Sequence, residues 1–161
     1  MPASLAIILD GKRILLVKRR DLPVWVIPGG GIEPGESPEK AAQREAVEET
    51  GFEVEITHKL GLFTKANWLT DDTHVFVTRI IKGVATLGPE SRAIEWFDRK
   101  TLPTLLPPPH LRWLELALKK KHDLHEPVPD SSHRLFLWAF IHHPIVIGRF
   151  LLTKIGIRWN T

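Results

Sequence analysis

The chain has 161 residues, with 22 Lys and Arg against 19 Asp and Glu and a net charge of +3. It has no cysteine, which excludes disulfides, thiolate nucleophiles and cysteine-bound zinc and suits a reducing compartment, so a cytoplasmic protein is expected. A composition of 43% hydrophobic and 25% charged residues fits one globular domain with an ordinary core, and so mild a charge does not by itself argue for a nucleic-acid partner.

The opening MPASLAIILDGKR lacks a basic n-region and a long apolar h-region, so no signal peptide is expected. No apolar run reaches about 18 residues, so no membrane-spanning helix is expected. Leu5 to Leu9 and Ile14 to Val17 read as short strands, with Asp10-Gly11 as a hairpin turn between them. A third run, Val24 to Ile27, is stopped by Pro28-Gly29-Gly30-Gly31, which reads as a glycine-rich loop. Ser37-Pro38 is an N-cap followed by proline at the first helical position. The helix is predicted from about Pro38 to Thr50, with Gly51 as its stop. Phe52 to Phe63, Thr73 to Ile81, Val84 to Leu87 and Ala93 to Phe97 have strand composition. Proline-rich spacing from Pro103 to Pro109 leads into a second helix, predicted from about Leu111 to Lys121. Strands and helices without a βαβ rhythm predict an α+β fold with a mixed sheet.

The chemistry concentrates in Gly30 to Phe52, GGIEPGESPEKAAQREAVEETGF. On a helix, Glu45, Glu48 and Glu49 stand at i, i+3 and i+4 and share one face. Three like charges there oppose helix formation by some tenths of a kcal/mol per pair. The helix has a single lysine, Lys40, on the far side, so the carboxylates are not balanced as a solvated face would be. Oxygen donors at this spacing suit Mg²⁺ or Mn²⁺. Arg44 can pair with Glu48 at i+4 and orient it. The glycines let backbone approach a ligand closely. Pro34-Gly35 turns Glu36 toward the helix start, where the dipole favours a carboxylate.

These residues resemble the signature of the Nudix hydrolases. Gly30, Glu36, Arg44, Glu45, Glu48, Glu49 and Gly51 all fall on its fixed positions, with Ala46 and Phe52 in its aliphatic slots. At average residue usage, seven such matches arise by chance at about one in a billion per starting position. Trp25-Val26-Ile27-Pro28 and Ile94-Glu95-Trp96-Phe97 also look like family strand segments, so the likeness covers roughly Leu5 to Lys121. It implies a Nudix-type α/β/α sandwich and Mg²⁺-dependent hydrolysis of a nucleoside diphosphate linked to another moiety. It implies Glu45, Glu48 and Glu49 as metal ligands with a backbone carbonyl of Gly29 or Gly30, Arg44 as their orienter, and Glu36 as a support of the loop–helix geometry. For the general base it leaves Glu45, Glu90 and Glu95 open, with Glu90 the natural candidate from the loop GPESRAIEWF. The reading of another class is a catalytically idle, nucleotide-binding regulator of the same fold.

Other signals are weaker. Arg13, Lys18, Arg19 and Arg20 flank the second strand; a charged strand edge accounts for most of them, and Arg19 is the candidate contact for substrate phosphates. Phe63, Phe76 and Phe97 read as core. Trp68, in the polar loop Lys65 to Asp72, is a candidate substrate contact. His74 reads as structural. Leu60 to Asp72 has no proline and the chain has no tyrosine, markers that some relatives specific for ADP-ribose or dinucleoside polyphosphates carry. Nucleoside triphosphates, oxidised nucleotides and nucleotide sugars remain as substrate classes.

Composition shifts near Glu126, so the expected organisation is a catalytic domain over 1–125 and a C-terminal extension over 126–161. From His133 onward the chain carries Arg134, Arg149, Lys154 and Arg158 and no acid, among Leu, Ile, Phe and Trp. Two readings stand: packing on the core or on a second copy as a homodimer, or contact with a membrane surface with Trp138 and Trp159 as anchors.

Overall fold

The computed structural model describes residues 1–22, 24–66 and 70–128, together with 144, 145, 148 and 152. Trp68 and nearly all of the tail therefore lie outside the described residues.

The strands are β1 (Ala3–Asp10), β2 (Arg13–Arg19), β3 (Trp25–Val26), β4 (Gly29–Gly31), β5 (Phe52–Thr64), β6 (Thr73–Gly83), β7 (Ser91–Asp98) and β8 (Leu124–Pro127). The helices are α1 (Pro38–Thr50) and α2 (Pro108–Leu118). Hydrogen-bonded neighbours run β3-β2-β1-β6-β5-β8, with β4 also on β1 and β7 also on β2. The sheet is mixed: β1–β6 and β5–β8 are parallel and the other pairs antiparallel.

β1 is buried on both faces, and its alternation sorts the core into two. Leu5 and Ile7 join Val75, Val77, Leu60 and Phe63 beneath Trp113 and Leu114 of α2. Ala6 and Ile8 join Phe76, Val54 and Leu15 beneath Ala42 and Ala46 of α1. One helix thus covers each face, giving the expected α/β/α sandwich. α1 meets the sheet through three fully buried alanines, Ala41, Ala42 and Ala46, which let its backbone lie close. In β5 the register shifts past Glu53, Ile56 and Lys59. These bulges change which side chains face which helix: Val54 packs under α1, while Leu60 and Phe63 pack under α2. Phe63 and Phe76 are core residues, as expected, and Phe97 packs edge-on against Trp25 at 4.9 Å.

Several expectations need correction. The glycine run is not a loop: Gly29, Gly30 and Gly31 pair with Leu5, Ser4 and Ala3 of β1. The first hairpin turns at Gly11-Lys12, because Asp10 is still paired with Arg13. Val84 to Leu87 is not a strand, since its backbone serves the end of α1 instead: Thr86 N–H donates to Thr50 O. α2 starts three residues earlier than predicted, its N-cap and first positions being Pro107, Pro108 and Pro109, where no N–H is needed.

A boundary at 125 cuts through β8. Leu124 to Pro127 pairs with Gly61 to Thr64, and Val128 is buried with its N–H on Thr64 O. The sheet therefore extends to Val128, and we propose the extension to begin after it. Burying a valine is worth about 1.5–3 kcal/mol. A chain ended at His125 should melt several degrees below the full chain, whereas one ended at Asp130 should melt within a degree or two of it. Equal melting of the two truncated forms would return the boundary to 125.

Candidate functional site

α1 is set by local signals. Ser37 Oγ accepts from Lys40 N–H at the N-cap, Pro38 follows, and Gly51 takes the left-handed conformation (φ 76°) with its N–H on Val47 O. Ser4 of β1 donates its hydroxyl to Pro38 O, and Gln43 donates its amide to Val54 O. These contacts fix the rotation of the helix on the sheet and so aim its acids at β4.

Arg44 is the hub of the cluster. Its Nε and Nη2 each donate at 3.0 Å to the two oxygens of Glu36, Nη1 donates to Glu45 Oε1 at 2.8 Å and to Glu48 Oε2 at 3.2 Å, and Nη2 donates to Gly31 O at 2.9 Å. The pairing with Glu48 expected from i+4 spacing is present, and Glu36 and Glu45 are added to it. Glu36 also accepts from Glu33 N–H, closing the Pro34-Gly35 turn onto the helix. Hydrogen bonding to Glu36 above all raises Arg44 above its usual range, and the same bonds hold Glu36 below the ordinary carboxylate range.

Glu49 points inward instead. It is only 9% exposed and accepts from Gly29 N–H at 2.9 Å. Burial pushes it up to about 7; the charges of Glu45 and Glu90 add to the rise, and the Gly29 N–H and Arg19 oppose it. Burial likewise raises Glu45, and outweighs Arg44 in doing so. The protein thus holds carboxylates close together in a place that disfavours their charge.

β4 explains the glycines. Pro28 O and Ile32 N–H bond toward β1 and Pro2, so by strand alternation the peptide groups of Gly30 face β1. Gly29 and Gly31 face the other way, as the bonds from Gly29 N–H to Glu49 and from Arg44 to Gly31 O require. Of the two expected carbonyls, Gly29's faces the acids and Gly30's does not. Gly30 has another role: a Cβ on it would lie 2.3 Å from Glu45 Oε1, so only glycine leaves room for that carboxylate.

The loop from Val84 to Glu90 closes the far end of α1. Ser91 donates its hydroxyl to Glu49 O, and a Cβ on Gly88 would sit 2.1 Å from Glu48 O. Glu90 therefore stands beside the cluster, and its charge acts on Glu45, Glu49 and Arg19. Glu95 lies on the β7 face shared by Ala93 and Phe97, which pack toward α2, while Ile94 and Trp96 pack toward α1. The sheet separates Glu95 from the α1 acids.

Arg19 ends β2 with its guanidinium on Asp21, Nε to Oδ1 at 2.8 Å and Nη2 to Oδ2 at 2.6 Å. Burial pushes Asp21 up, but the Arg19 hydrogen bonds prevail and hold it below its usual range. Asp21 and His110 are two site neighbours that the sequence did not mark. Asp21 had a faint signal, an acid two residues beyond an arginine. His110 had none, since its contact, accepting from Ile27 N–H, lies 83 residues away.

Among the described residues, no three His, Asp or Glu side chains converge on a preformed cation site. Arg44 Nη1 lies between Glu45 and Glu48, and Glu49 is turned to Gly29. The donor set nonetheless fits a hard divalent cation: it is all oxygen, Gly30 leaves Glu45 the space a Cβ would fill, and a cation would offset the burial, and the lesser mutual repulsion, that raise Glu45 and Glu49.

The family model of the NUDIX domain matches residues 1–117. The chain is 35% identical over 131 residues to a Bacillus subtilis (strain 168) protein provisionally named 8-oxo-dGTP diphosphatase, covering 81% of this chain and 87% of that one. It is 33% identical over 126 residues to the oxidized purine nucleoside triphosphate hydrolase of Mus musculus, covering 73% of this chain and 80% of that one. The crystal structure of a NUDIX hydrolase from Nitrosomonas europaea superposes with a TM-score of 0.69 at 20% identity, covering 78% of this chain and 76% of the other, a likeness of fold.

Proposed function

Because the chain belongs to the Nudix hydrolase family, whose members act on phosphoanhydride bonds and need divalent cations, we propose that it hydrolyses an oxidised purine nucleoside triphosphate with Mg²⁺. The observation that carries the enzymatic reading is the pair of charge-disfavoured carboxylates against β4: buried Glu49 on the Gly29 N–H and half-buried Glu45 packed against Gly30. The substrate class rests on the two relatives named for oxidised purine nucleotides.

Glu45, Glu48 and Glu49, with the Gly29 carbonyl, are the groups that would hold Mg²⁺, and Mn²⁺ in its place. Bound there, the cation supplies charge neutralisation to the diphosphate and a more acidic water. Arg44 orients Glu45 and Glu48 while Glu36 orients Arg44. Glu90, at the mouth of the cluster, accepts the proton of the attacking water as its oxygen bonds to phosphorus and the bridging P–O bond breaks. Arg19, braced by Asp21, meets the substrate phosphates with the guanidinium edge that Asp21 leaves open. Trp68, outside the described residues, remains the proposed contact for the base. Dimerisation and membrane contact through the tail have no support among the described residues, none of whose helices is long and apolar enough to cross a membrane.

The test is a substrate panel with product identification: 8-oxo-dGTP, dGTP, ADP-ribose and a nucleotide sugar, each with Mg²⁺ and with Mn²⁺. The largest kcat/KM is expected on 8-oxo-dGTP. A preference for ADP-ribose removes the substrate assignment. Tight nucleotide binding with no turnover of any compound establishes the idle regulator instead.

A further inference from the structure

His110 stands apart from the carboxylates, yet it is built into the segment that positions one of them. Its Nδ1 accepts from Ile27 N–H at 3.1 Å. Two residues on, Gly29 N–H grips Glu49 Oε2 at 2.9 Å. Between them Pro28 O accepts from Ala6 N–H, so Ile27-Pro28-Gly29 is pinned by β1 on one side and by His110 and Glu49 on the other. The strand's other end is held independently, Trp25 N–H donating to Leu105 O. Ile27 is 1% exposed, so its N–H has no solvent to turn to.

The imidazole is kept in the form this bond needs. Burial pushes His110 down to about 3, and the nearby charge of Arg19 adds to it, so Nδ1 is an acceptor throughout the neutral range. The ring is steadied edge-on by Trp113 at 5.2 Å. α2 thus reaches through the sheet's end to the backbone that meets Glu49.

We propose that His110 is a positioning residue for Glu49: by fixing Ile27 N–H it sets where Gly29 N–H and the Gly29 carbonyl stand, and so tunes the cation affinity of the α1 cluster from the opposite helix. The inference rests on the reading of Glu49 as a cation-holding carboxylate.

Mn²⁺ binding followed by electron paramagnetic resonance tests it without turnover. His110→Leu removes the acceptor, and groups one step behind metal ligands typically carry 10–100-fold in affinity. We expect Mn²⁺ to bind roughly tenfold more weakly to His110→Leu, with kcat on 8-oxo-dGTP reduced and KM little changed. His110→Asn places an amide oxygen where Nδ1 stood and should restore both. Leu116→Ala, which loosens the same helix and core more than a turn beyond His110, should lose melting temperature but keep wild-type Mn²⁺ affinity. The proposal is overturned if His110→Leu binds Mn²⁺ like wild type. It is overturned equally if folded His110→Asn binds as weakly as the leucine variant, or if Leu116→Ala weakens Mn²⁺ to the same extent. A wild-type protein that binds no Mn²⁺ sinks this proposal together with the reading it rests on; normal wild-type binding with unaltered variants sinks this one alone.

Discussion

Glu49→Gln should cut kcat/KM by about 10³-fold or more while making the cation-free protein more heat-stable at pH 8. The two effects have one cause. Glu49 is buried, accepts a single hydrogen bond from Gly29, and is raised from 4.5 to about 7. A carboxyl raised in the folded state binds more protons folded than unfolded, so folding loses stability as pH climbs from about 4.5 through about 7 and stays low above that. The full cost is on the order of 3 kcal/mol. Gln keeps an oxygen for Gly29 N–H and carries no charge, so it recovers part of this cost and removes the anionic donor. Melting in EDTA checks the sign: the variant and wild type should coincide near pH 4.5 and separate by a few degrees at pH 8, the variant higher. A variant that melts lower at pH 8 would mean that Glu49 supports the fold as a charge, and an active variant would remove it from the site.

Arg44→Met is expected to lose both stability and activity. One guanidinium serves Glu36, Glu45, Glu48 and the Gly31 carbonyl. Without it, Glu36 faces Glu45 and Glu48 of α1 with no cation between them, and Gly31 O loses its donor. Leaving charges without their partner is among the few single changes with large effects. A fall of about 5–10 °C in melting temperature is expected, with kcat/KM down about 10²-fold. Arg44→Lys should recover the charge but little of the activity, because an ammonium cannot span four acceptors in fixed directions. Full activity in the lysine variant would mean that net charge, rather than the fork, is what the cluster needs.

Much of the site was legible because its determinants are local. The bounds of α1 follow from Ser37, Pro38 and Gly51, each acting within one turn. The grouping of Glu45, Glu48 and Glu49 follows from helical spacing, and the Arg44–Glu48 pair from i+4. What stayed hidden depends on distant partners. Glycines have poor strand propensity, yet β4 exists because β1 offers a ladder some 25 residues away. β8 reads as a polar linker, and it is a strand because the edge of β5 receives it. Glu36 gave no sign that Arg44, eight residues on, would take both its oxygens. Pro107 to Pro109 looked like a spacer because three prolines suit a helix only in its first turn.

The loop at the end of α1 limits where the chain can be lengthened. The last four carbonyls of the helix meet four separate groups: Gly51 N–H, the Gly88 backbone, the Ser91 hydroxyl and Thr86 N–H. Most surface connections accept inserted residues freely. This one does not, because a single added residue between Gly83 and Ser91 would pull donors from carbonyls and shift Glu90 relative to the α1 acids. The length of this loop is therefore tied to the geometry of the acids, and an insertion here should disturb the end of α1 and the site together.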